Sequence, residues 1–463
     1  MKAKAEMDGI GGGGHAVGQP IKQRELDSHV KGQTLYYEDV KVPRMLHLKI
    51  HRSPVAHARI LNIDTSKAEQ SDGVVAVLTY RDVPATKVWS HFEAIGAAPG
   101  AEPILAVDKI RWKGEPIAAV AAETLSQAED AAAKIKVTYE KLPSVFDVDE
   151  ALAPGAPELF DCWPGNHYVF PDDHKAAQIR FGDVEKGFAE ADHLVEHVYR
   201  TRPIEQAPIE TAGCVAVPGS DGRYTIYTNS QALSTTRNSA AEIAGLPVAR
   251  LRLVGGTAGG GFGGKVDMAI EPMALLAAMK SKRPVKYRFT REDEMTVSST
   301  RAAWRVSIKD GVMRDGRITA RHVITHQDIG AYLRNSIYGA FKHASHMPGP
   351  YTVPNVWADV YCVFTNRTPS AAMRGFGVMP ASFAIEMQMD RVAKAIHMDP
   401  WQFRLKNAFR NGDMKAHRRE VWDAALVETI QAAARLTAKD LPEEYRQMSS
   451  AKRPLSAPRI AGG

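Results

Sequence analysis

A dense glycine segment, GGTAGGGFGGK at residues 255–265, carries the clearest indication of chemistry in this sequence. Seven of its eleven residues are glycine, and it separates a strand-like run from a helix-like run. A glycine backbone can approach a ligand closely and can present several N–H groups to an anion. The segment therefore predicts a phosphate or pyrophosphate site, with a simple packing turn as the alternative.

The same letters match two nucleotide-binding motifs, each imperfectly. Gly259, Gly264 and Lys265 have the spacing of a P-loop, but Val266 stands where a hydroxyl should hold Mg²⁺. Gly259, Gly261 and Gly264 match the dinucleotide fingerprint, but the window about 20 residues further on is basic, where an acid should bind the ribose. A nicotinamide-dependent dehydrogenase therefore remains an alternative that the sequence does not favour.

A second short segment, MRGFG at residues 373–377, also precedes a helix-like run. It adds the guanidinium of Arg374 and the ring of Phe376 to another flexible backbone. Together the two segments predict an anionic cofactor held between two helix N-termini. Phe262 and Phe376 would then be apolar walls for a flat substrate, with ordinary core packing as the alternative for both rings.

The segments around these loops divide the chain into two predicted domains. Residues 32–150 alternate strand-like runs and turns with one helical run, which predicts a compact α+β domain after a flexible N-terminal tail at 1–31. The Pro- and Gly-containing stretch at 151–174 predicts a linker. Residues 175–436 form the second predicted domain, and residues 437–463 are predicted to be a polar C-terminal tail.

A metal site made of protein ligands is not indicated by the histidines. His322 and His326 would share one face of a strand, but no third ligand is evident, so a structural role is favoured. The same interpretation applies to His47, His51 and His57.

Composition excludes several further classes of protein. The chain has three cysteines, fewer than the four thiolates that a two-iron cluster usually takes. Its 59 basic and 53 acidic residues are interleaved, which argues against nucleic-acid binding. No apolar run approaches the ~18 residues of a membrane span. The N-terminus lacks the apolar core of a secretory signal, so we expect a cytoplasmic protein without a membrane partner.

GGGFGGK and MRGFG, in this order and spacing, resemble the two cofactor loops of the xanthine dehydrogenase/aldehyde oxidase family of molybdenum hydroxylases. Residues 32–150, with LHLKIHRSPVAHARILNIDTSKA and KGEPIAAVAAET, are similar to the α/β hammerhead domain of that family. Residues 175–436, with QAPIET and TNSQ, resemble its first molybdopterin-binding domain. The resemblance thus implies an α+β protein in which a hammerhead domain precedes that first molybdopterin-binding domain.

The resemblance also implies a cofactor and the residues around it. The cofactor would be molybdenum–molybdopterin, in the cytosine dinucleotide form that bacterial members commonly carry, without a direct protein ligand to the metal. Phe376 would stack on the substrate. The residues expected to contact the cofactor are Gln231, through its side-chain amide, and Gly260, Gly261, Phe262, Gly263 and Arg374.

Partner chains follow from the same resemblance. The general-base glutamate of the family lies in a late G-x-G-E segment that is absent from this sequence, as is the second molybdopterin domain. We therefore expect a partner subunit carrying both, an iron–sulfur subunit and an FAD subunit, and little activity from the chain alone. A truncated, non-catalytic remnant is the alternative.

The substrate is indicated least directly. Val266 stands where xanthine-oxidising members have a glutamate, the stretch SIYGAFKHAS offers no substrate arginine, and MRGFG lacks the cysteine of carbon monoxide dehydrogenases. A neutral pocket with two phenylalanines favours an aromatic N-heterocycle, as in nicotinate dehydrogenases. Xanthine dehydrogenase, aldehyde oxidoreductase and 4-hydroxybenzoyl-CoA reductase remain the alternatives.

Overall fold

The computed structural model describes residues 22–84, 102–170, 174–266 and 270–451 of the protein. Most of the predicted N-terminal tail lies outside these residues. The strands, in chain order, are β1 Leu46–Arg52, β2 Ala58–Asp64, β3 Val74–Leu78, β4 Lys109–Ile110, β5 Pro116–Ala122, β6 Lys136–Lys141, β7 Ala177–Phe181, β8 His193–Thr201, β9 Gly213–Pro218, β10 Tyr224–Thr228, β11 Leu251–Gly255, β12 Val285–Arg288, β13 Ala303–Val312, β14 Ile318–Gly330 and β15 Val356–Phe364.

Helices of very different lengths cover the sheets. In chain order they are α1 Leu26–Val30, α2 Ser66–Glu69, α3 Leu125–Ala133, α4 Val148–Ala151, α5 Val184–Ala189, α6 Leu233–Ile243, α7 Ile270–Ser281, α8 Arg291–Val297, α9 Ser336–His346, α10 Val378–Ala395, α11 Pro400–Asn407, α12 Leu426–Leu436 and α13 Glu443–Arg446. Among the described residues, no helix is both long enough and apolar enough to cross a bilayer.

One sheet runs through both predicted domains. Its seven strands follow the order β11–β10–β9–β12–β1–β5–β3. At the junction, β1 pairs in parallel with β12, with Leu46 opposite Val285, and pairs antiparallel with β5 on its other side. The α+β class is confirmed, but the two regions that the sequence separates share a sheet and one hydrophobic core.

Two further sheets complete the architecture. Five strands form the order β7–β15–β14–β13–β8, and three form β4–β2–β6. The antiparallel pair β13–β14 aligns Ala303 with Asp328 and continues to Val312 opposite Ile318. Its alternating side chains bury one face of the sheet, as expected for strands with period-two patterning.

The segment predicted to be a linker, residues 151–174, is packed against the core as far as residue 170. Phe160, Trp163 and Tyr168 are buried in the main hydrophobic cluster. The Trp163 and Tyr168 rings stack with centroids 4.5 Å apart, and Phe160 meets Phe364 of β15 edge to face at 5.0 Å. The segment connects the two regions along the chain, but its aromatic side chains make it a structural strap.

The prediction of a polar tail from residue 437 is wrong as far as residue 451. After α12, the chain turns back so that Leu441 and Tyr445 pack against Val427 and Ala434 of that helix. Ser450 donates its hydroxyl hydrogen to Glu428, also on α12. Residues 452–463 lie outside the described residues.

Two helices bring the glycine loops into place. α7 is apolar on nearly all sides and is buried between β9 and α6, as expected of a core helix. α10 packs across β8 and β13 and begins directly after Gly377, whose left-handed conformation (φ 92°) ends the second loop. Pro380 lies in its first turn, where the missing N–H has no helical partner to lose.

Candidate functional site

The first glycine loop, residues 255–265, and the second loop, residues 373–377, lie in direct contact. The Arg374 N–H donates to the Phe262 carbonyl at 2.8 Å. Gly263 (φ 101°) lies so close to the second loop that a Cβ there would fall 2.6 Å from the Ala372 carbonyl oxygen. The predicted convergence of the two loops is thereby confirmed, although their binding of a cofactor stays a prediction.

Gln231 joins the first loop through its side-chain oxygen. Oε1 accepts hydrogen bonds from the N–H groups of Gly263 at 3.0 Å and Lys265 at 3.3 Å. The Gln231 N–H in turn donates to the Lys265 carbonyl at 2.9 Å. With Oε1 fixed in this way, Nε2 donates to none of the described residues and remains available as a donor for a ligand.

Three consecutive backbone donors in the first loop have no acceptor among the described residues: the N–H groups of Gly260, Gly261 and Phe262. Gly260 has φ 96° and Phe262 has φ 50°, so the backbone curls into a concave array of N–H groups. Such an array, called a nest, is an anion-binding arrangement. These unpaired donors fit the negatively charged group that the sequence predicts.

The helix-terminus part of the prediction holds for the second loop and stays a prediction for the first. α10 begins at Val378, directly after the second loop, so its positive end faces the site. α7 begins at Ile270, and residues 267–269, which connect it to the first loop, are not described.

A buried ion pair that the sequence analysis missed holds the first loop. Oε2 of Glu210 accepts from the Gly259 N–H at 2.7 Å and from Lys265 Nζ at 3.0 Å. The Lys265 side chain is fully buried, and burial lowers its pKa while Glu210 opposes the shift. Glu210 belongs to the QAPIET segment, whose acid just before β9 was the only signal available in the sequence.

A second buried acid supports the turn that carries Gln231. The Thr228 hydroxyl donates to Oε1 of Glu271 on α7 at 2.6 Å and accepts from the Ser230 N–H at 3.0 Å. Burial raises the pKa of Glu271 to about 7, although the Thr228 hydroxyl favours its ionised form. Glu271 thus stabilises the TNSQ turn through the hydroxyl of Thr228.

The second loop is held by a histidine. His343 of α9 is buried and stacks on Trp304, with ring centroids 4.4 Å apart. Burial lowers the pKa of His343 to about 4, so its ring is neutral near neutral pH. Nδ1 then donates to the Gly377 carbonyl at 2.9 Å, and Nε2 accepts from the Thr325 hydroxyl at 3.2 Å.

The two aromatic side chains predicted to line the site are at least partly exposed. Phe262 is 46% exposed, and Phe376 is half-buried in a left-handed conformation (φ 39°). The ammonium group of Lys342 lies 5.6 Å from the centre of the Phe376 ring. A cavity of about 970 Å³ lies at the junction of the two regions and is not lined by either loop.

The histidines singled out in the sequence are accounted for by packing. His326 stacks on Tyr361 at 5.3 Å, and burial lowers its pKa to about 4. His322 contacts Trp357 edge to face. Burial also lowers the pKa of His47, His51 and His57. No group of three or more His, Cys, Asp or Glu side chains in the described part of the chain is arranged to hold a metal ion.

Two family models match the chain. Residues 31–143 match the aldehyde oxidase and xanthine dehydrogenase a/b hammerhead domain, and residues 167–408 match the molybdopterin cofactor-binding domain. Both glycine loops and the TNSQ turn fall within the second match. The unpaired N–H groups of the first loop and the contact between the loops therefore lie in the part of the chain matched by a cofactor-binding domain.

Individual relatives agree with these matches. The chain is 35% identical over 405 residues to the nicotinate dehydrogenase large molybdopterin subunit of Eubacterium barkeri, covering 87% of this chain and 92% of that protein. It is also 35% identical to a probable xanthine dehydrogenase subunit of Bacillus subtilis, covering 83% of this chain and 50% of that protein.

Solved structures show the same architecture. The aldehyde oxidoreductase of Desulfovibrio gigas matches with a TM-score of 0.82 and 30% identity, covering 89% of this chain and 46% of that one. The quinoline 2-oxidoreductase of Pseudomonas putida 86 matches with a TM-score of 0.84 and 26% identity, covering 94% and 55%. The chain thus spans nearly all of one relative and about half of the others.

Proposed function

The chain belongs to the aldehyde oxidase and xanthine dehydrogenase family of molybdenum oxidoreductases, and on that premise we propose that it is the molybdopterin-binding subunit of a multi-subunit enzyme that hydroxylates an aromatic N-heterocycle. Water would be the source of the oxygen. The observation that carries the proposal is the contact between the two loops, Arg374 N–H to Phe262 O at 2.8 Å. Beside it lie three N–H groups that have no acceptor among the described residues.

The bound molybdenum–pterin group would supply the two-electron redox chemistry of the hydroxylation. The residues of this chain would bind and orient that group. The N–H groups of Gly260, Gly261 and Phe262 would donate to it, Gln231 Nε2 would offer a further donor, and Arg374 would add positive charge. A dinucleotide form of the pterin would give this anion-binding backbone a pyrophosphate to bind.

The surroundings of the loops support a site that is completed by a partner subunit. Ile209 is 95% exposed and precedes Glu210, whose carboxylate holds Gly259 and Lys265 of the first loop and is called the clamp. Met379, Phe383 and Met387 recur every fourth residue on α10 and form an exposed apolar stripe beginning at the second loop. Exposed apolar surface of this kind marks interaction sites. The partner would carry the general-base glutamate, with iron–sulfur and FAD subunits completing the electron path.

An acidic heteroaromatic compound such as nicotinate is the substrate class that we favour. The 35% identity to a nicotinate dehydrogenase large subunit, over 92% of that protein, supports this class. Lys342 lies 5.6 Å from the centre of the Phe376 ring, where its ammonium group could pair with the carboxylate of a substrate stacked on that ring. Val266, directly after Lys265, supplies no acid to hydrogen-bond a purine.

Native purification of the tagged chain from its own cells tests the proposal. We expect molybdenum, pterin, iron and further polypeptides to copurify with it. The complex should oxidise nicotinate in ¹⁸O-labelled water with incorporation of the label. For xanthine and benzaldehyde, kcat/KM should be lower by about tenfold or more, which corresponds to a barrier higher by about 1.4 kcal/mol.

Other outcomes would identify the alternatives. Preferential turnover of xanthine, an aldehyde or 4-hydroxybenzoyl-CoA would replace the substrate while keeping the enzyme class. A folded, monomeric chain that copurifies with neither molybdenum nor pterin would support the non-catalytic remnant instead.

A further inference from the structure

Arg301 lies directly behind the second loop in an unusual electrostatic environment. Its side chain is only 9% exposed. Nη2 donates to the Arg374 carbonyl at 2.7 Å, and its backbone N–H donates to the Ile204 carbonyl at 2.8 Å. Nη1 is buried and has no hydrogen-bond partner among the described residues. Burial lowers the pKa of Arg301, and no acidic side chain in the described part of the chain opposes that shift.

Two other deeply buried arginines of the described chain are fully compensated. Arg321 makes two hydrogen bonds to Asp310, at 2.7 and 2.9 Å, and donates to two carbonyls. Arg334 makes a two-pronged ion pair with Glu102 at 2.6 and 2.8 Å. Burying an ion without a partner is costly, so proteins normally avoid it. Arg301 differs from both in having no acidic partner among the described residues, and this difference needs a physical explanation.

Further buried polar atoms beside the loops lack partners. Gln206 donates through Nε2 to the Ala372 carbonyl at 2.7 Å, but its Oε1 has no partner in the described part of the chain. The same holds for the buried hydroxyl of Ser299, two residues before Arg301. The layer behind the second loop is thus polar, and several of its buried groups have no partner among the described residues.

We propose that Arg301 lies behind the second loop as a fixed positive charge that attracts the phosphate-bearing part of the ligand bound by the two loops. One nitrogen fixes the Arg374 carbonyl, and the remaining, uncompensated charge attracts the anion. The anionic ligand then provides the negative charge that no described side chain provides for Arg301. The inference rests on the proposed function, because the pterin cofactor is the anion concerned. It assigns a role in binding to Arg301, which lies behind the two loops and is not part of either one.

Titration of the full chain with inorganic pyrophosphate at low ionic strength tests this role. Arg301→Gln should weaken binding by about tenfold or more, whereas Arg301→Lys, which keeps the charge, should stay within about threefold of wild type. Arg314→Gln removes an exposed charge elsewhere and should bind as wild type does. Without ligand, Arg301→Gln loses the hydrogen bond to the Arg374 carbonyl but also removes an unpaired buried charge. Because these two effects oppose each other, its Tm should stay within about two degrees of that of wild type.

The opposite results would overturn the inference. Pyrophosphate binding by Arg301→Gln equal to that of wild type, or no binding by wild type, would exclude an anion-binding role. A ligand-free Arg301→Gln chain that unfolds or loses several degrees in Tm would show that the guanidinium serves the fold. Either outcome leaves the proposed function standing if the native complex contains molybdenum and pterin.

Discussion

The first glycine loop is held by carboxylates, whereas the second is held by a neutral imidazole and an arginine without a counter-charge. Glu210 clamps Gly259 and Lys265, and Glu271 supports the adjoining TNSQ turn. His343 and Arg301 fix the carbonyls of Gly377 and Arg374 instead. Two backbone segments that lie in contact thus depend on groups of opposite acid–base character. Different substitutions and different changes of pH should therefore destabilise each loop.

Glu210→Gln should have the largest effect, and it should fall on the first loop alone. The variant leaves the fully buried Lys265 side chain without its counter-charge. Breaking one side of a buried pair costs about 3–5 kcal/mol in the free energy of unfolding. Urea unfolding measures this loss, and loss of bound pterin from the purified complex reports on the loop itself.

The exposed pair Lys49–Glu129 provides a matched control. Its atoms are 3.2 Å apart, but both side chains are substantially exposed. Glu129→Gln should therefore cost less than about 1 kcal/mol. If the two variants lose similar stability, the Glu210 clamp is not what holds the first loop.

The dependence of stability on pH should separate the two loops next. Glu271 has a pKa of about 7 in the folded chain against an ordinary 4.5, so its contribution to stability is lost as the pH rises from 4.5 to 7. His343 has a pKa of about 4 against 6.5, so its contribution is lost as the pH falls from 6.5 to 4. Each amounts to about 3 kcal/mol over its window.

Between pH 4.5 and 6.5 these two contributions have opposite slopes and cancel. Relative to wild type, Glu271→Gln should gain about 1.4 kcal/mol of unfolding free energy per pH unit as the pH rises. His343→Gln should gain similarly as the pH falls. Denaturant titrations at several pH values measure both slopes, and parallel curves for wild type and either variant would contradict the assignment.

Gly263→Ala should separate the loops without touching the charges of either one. Its Cβ would meet the Ala372 carbonyl oxygen at 2.6 Å in a left-handed backbone (φ 101°). We expect a loss of about 2 kcal/mol in stability and of most of the bound pterin. Gly155→Ala, at φ 77° with nothing within 4 Å, controls for backbone strain alone and should retain the pterin.

Lys342→Met should have the smallest effect, confined to substrate binding at the second loop. If the ammonium group over Phe376 binds a carboxylate, the KM for nicotinate should rise about tenfold, or about 1.4 kcal/mol. The KM for an uncharged heterocycle should not change. Lys394→Met, on the exposed side of α10, is the matched control. An equal change for both substrates would argue against carboxylate recognition.

Local pattern was sufficient for the elements and for the two loops. Alternation in LHLKIHR and the glycine density at 255–265 predict β1 and the first loop, and both are present. The clamp was beyond such reasoning, because Glu210 lies 49 residues before the Gly259 that it binds. Arg301 and His343 were missed for the same reason, since their contacts join distant parts of the chain.

Two misread segments contained usable signals. Phe160, Trp163 and Tyr168 are too aromatic for a solvated spacer, and their burial in the strap follows from the apolar area that they carry. Leu441 lies just before α13 and Tyr445 lies within it. Their spacing of four residues in a polar stretch indicates one apolar helical face. In both cases proline and glycine content outweighed apolar spacing in our prediction.

The pairing of β1 with β12 limits how this polypeptide can be divided. A break within residues 151–174 would leave β3, β5 and β1 on one fragment and β9 to β12 on the other, each with an unpaired strand edge. Bare edges of that kind promote aggregation. Expression of either fragment alone should therefore yield insoluble material, while coexpression should restore the sheet by complementation.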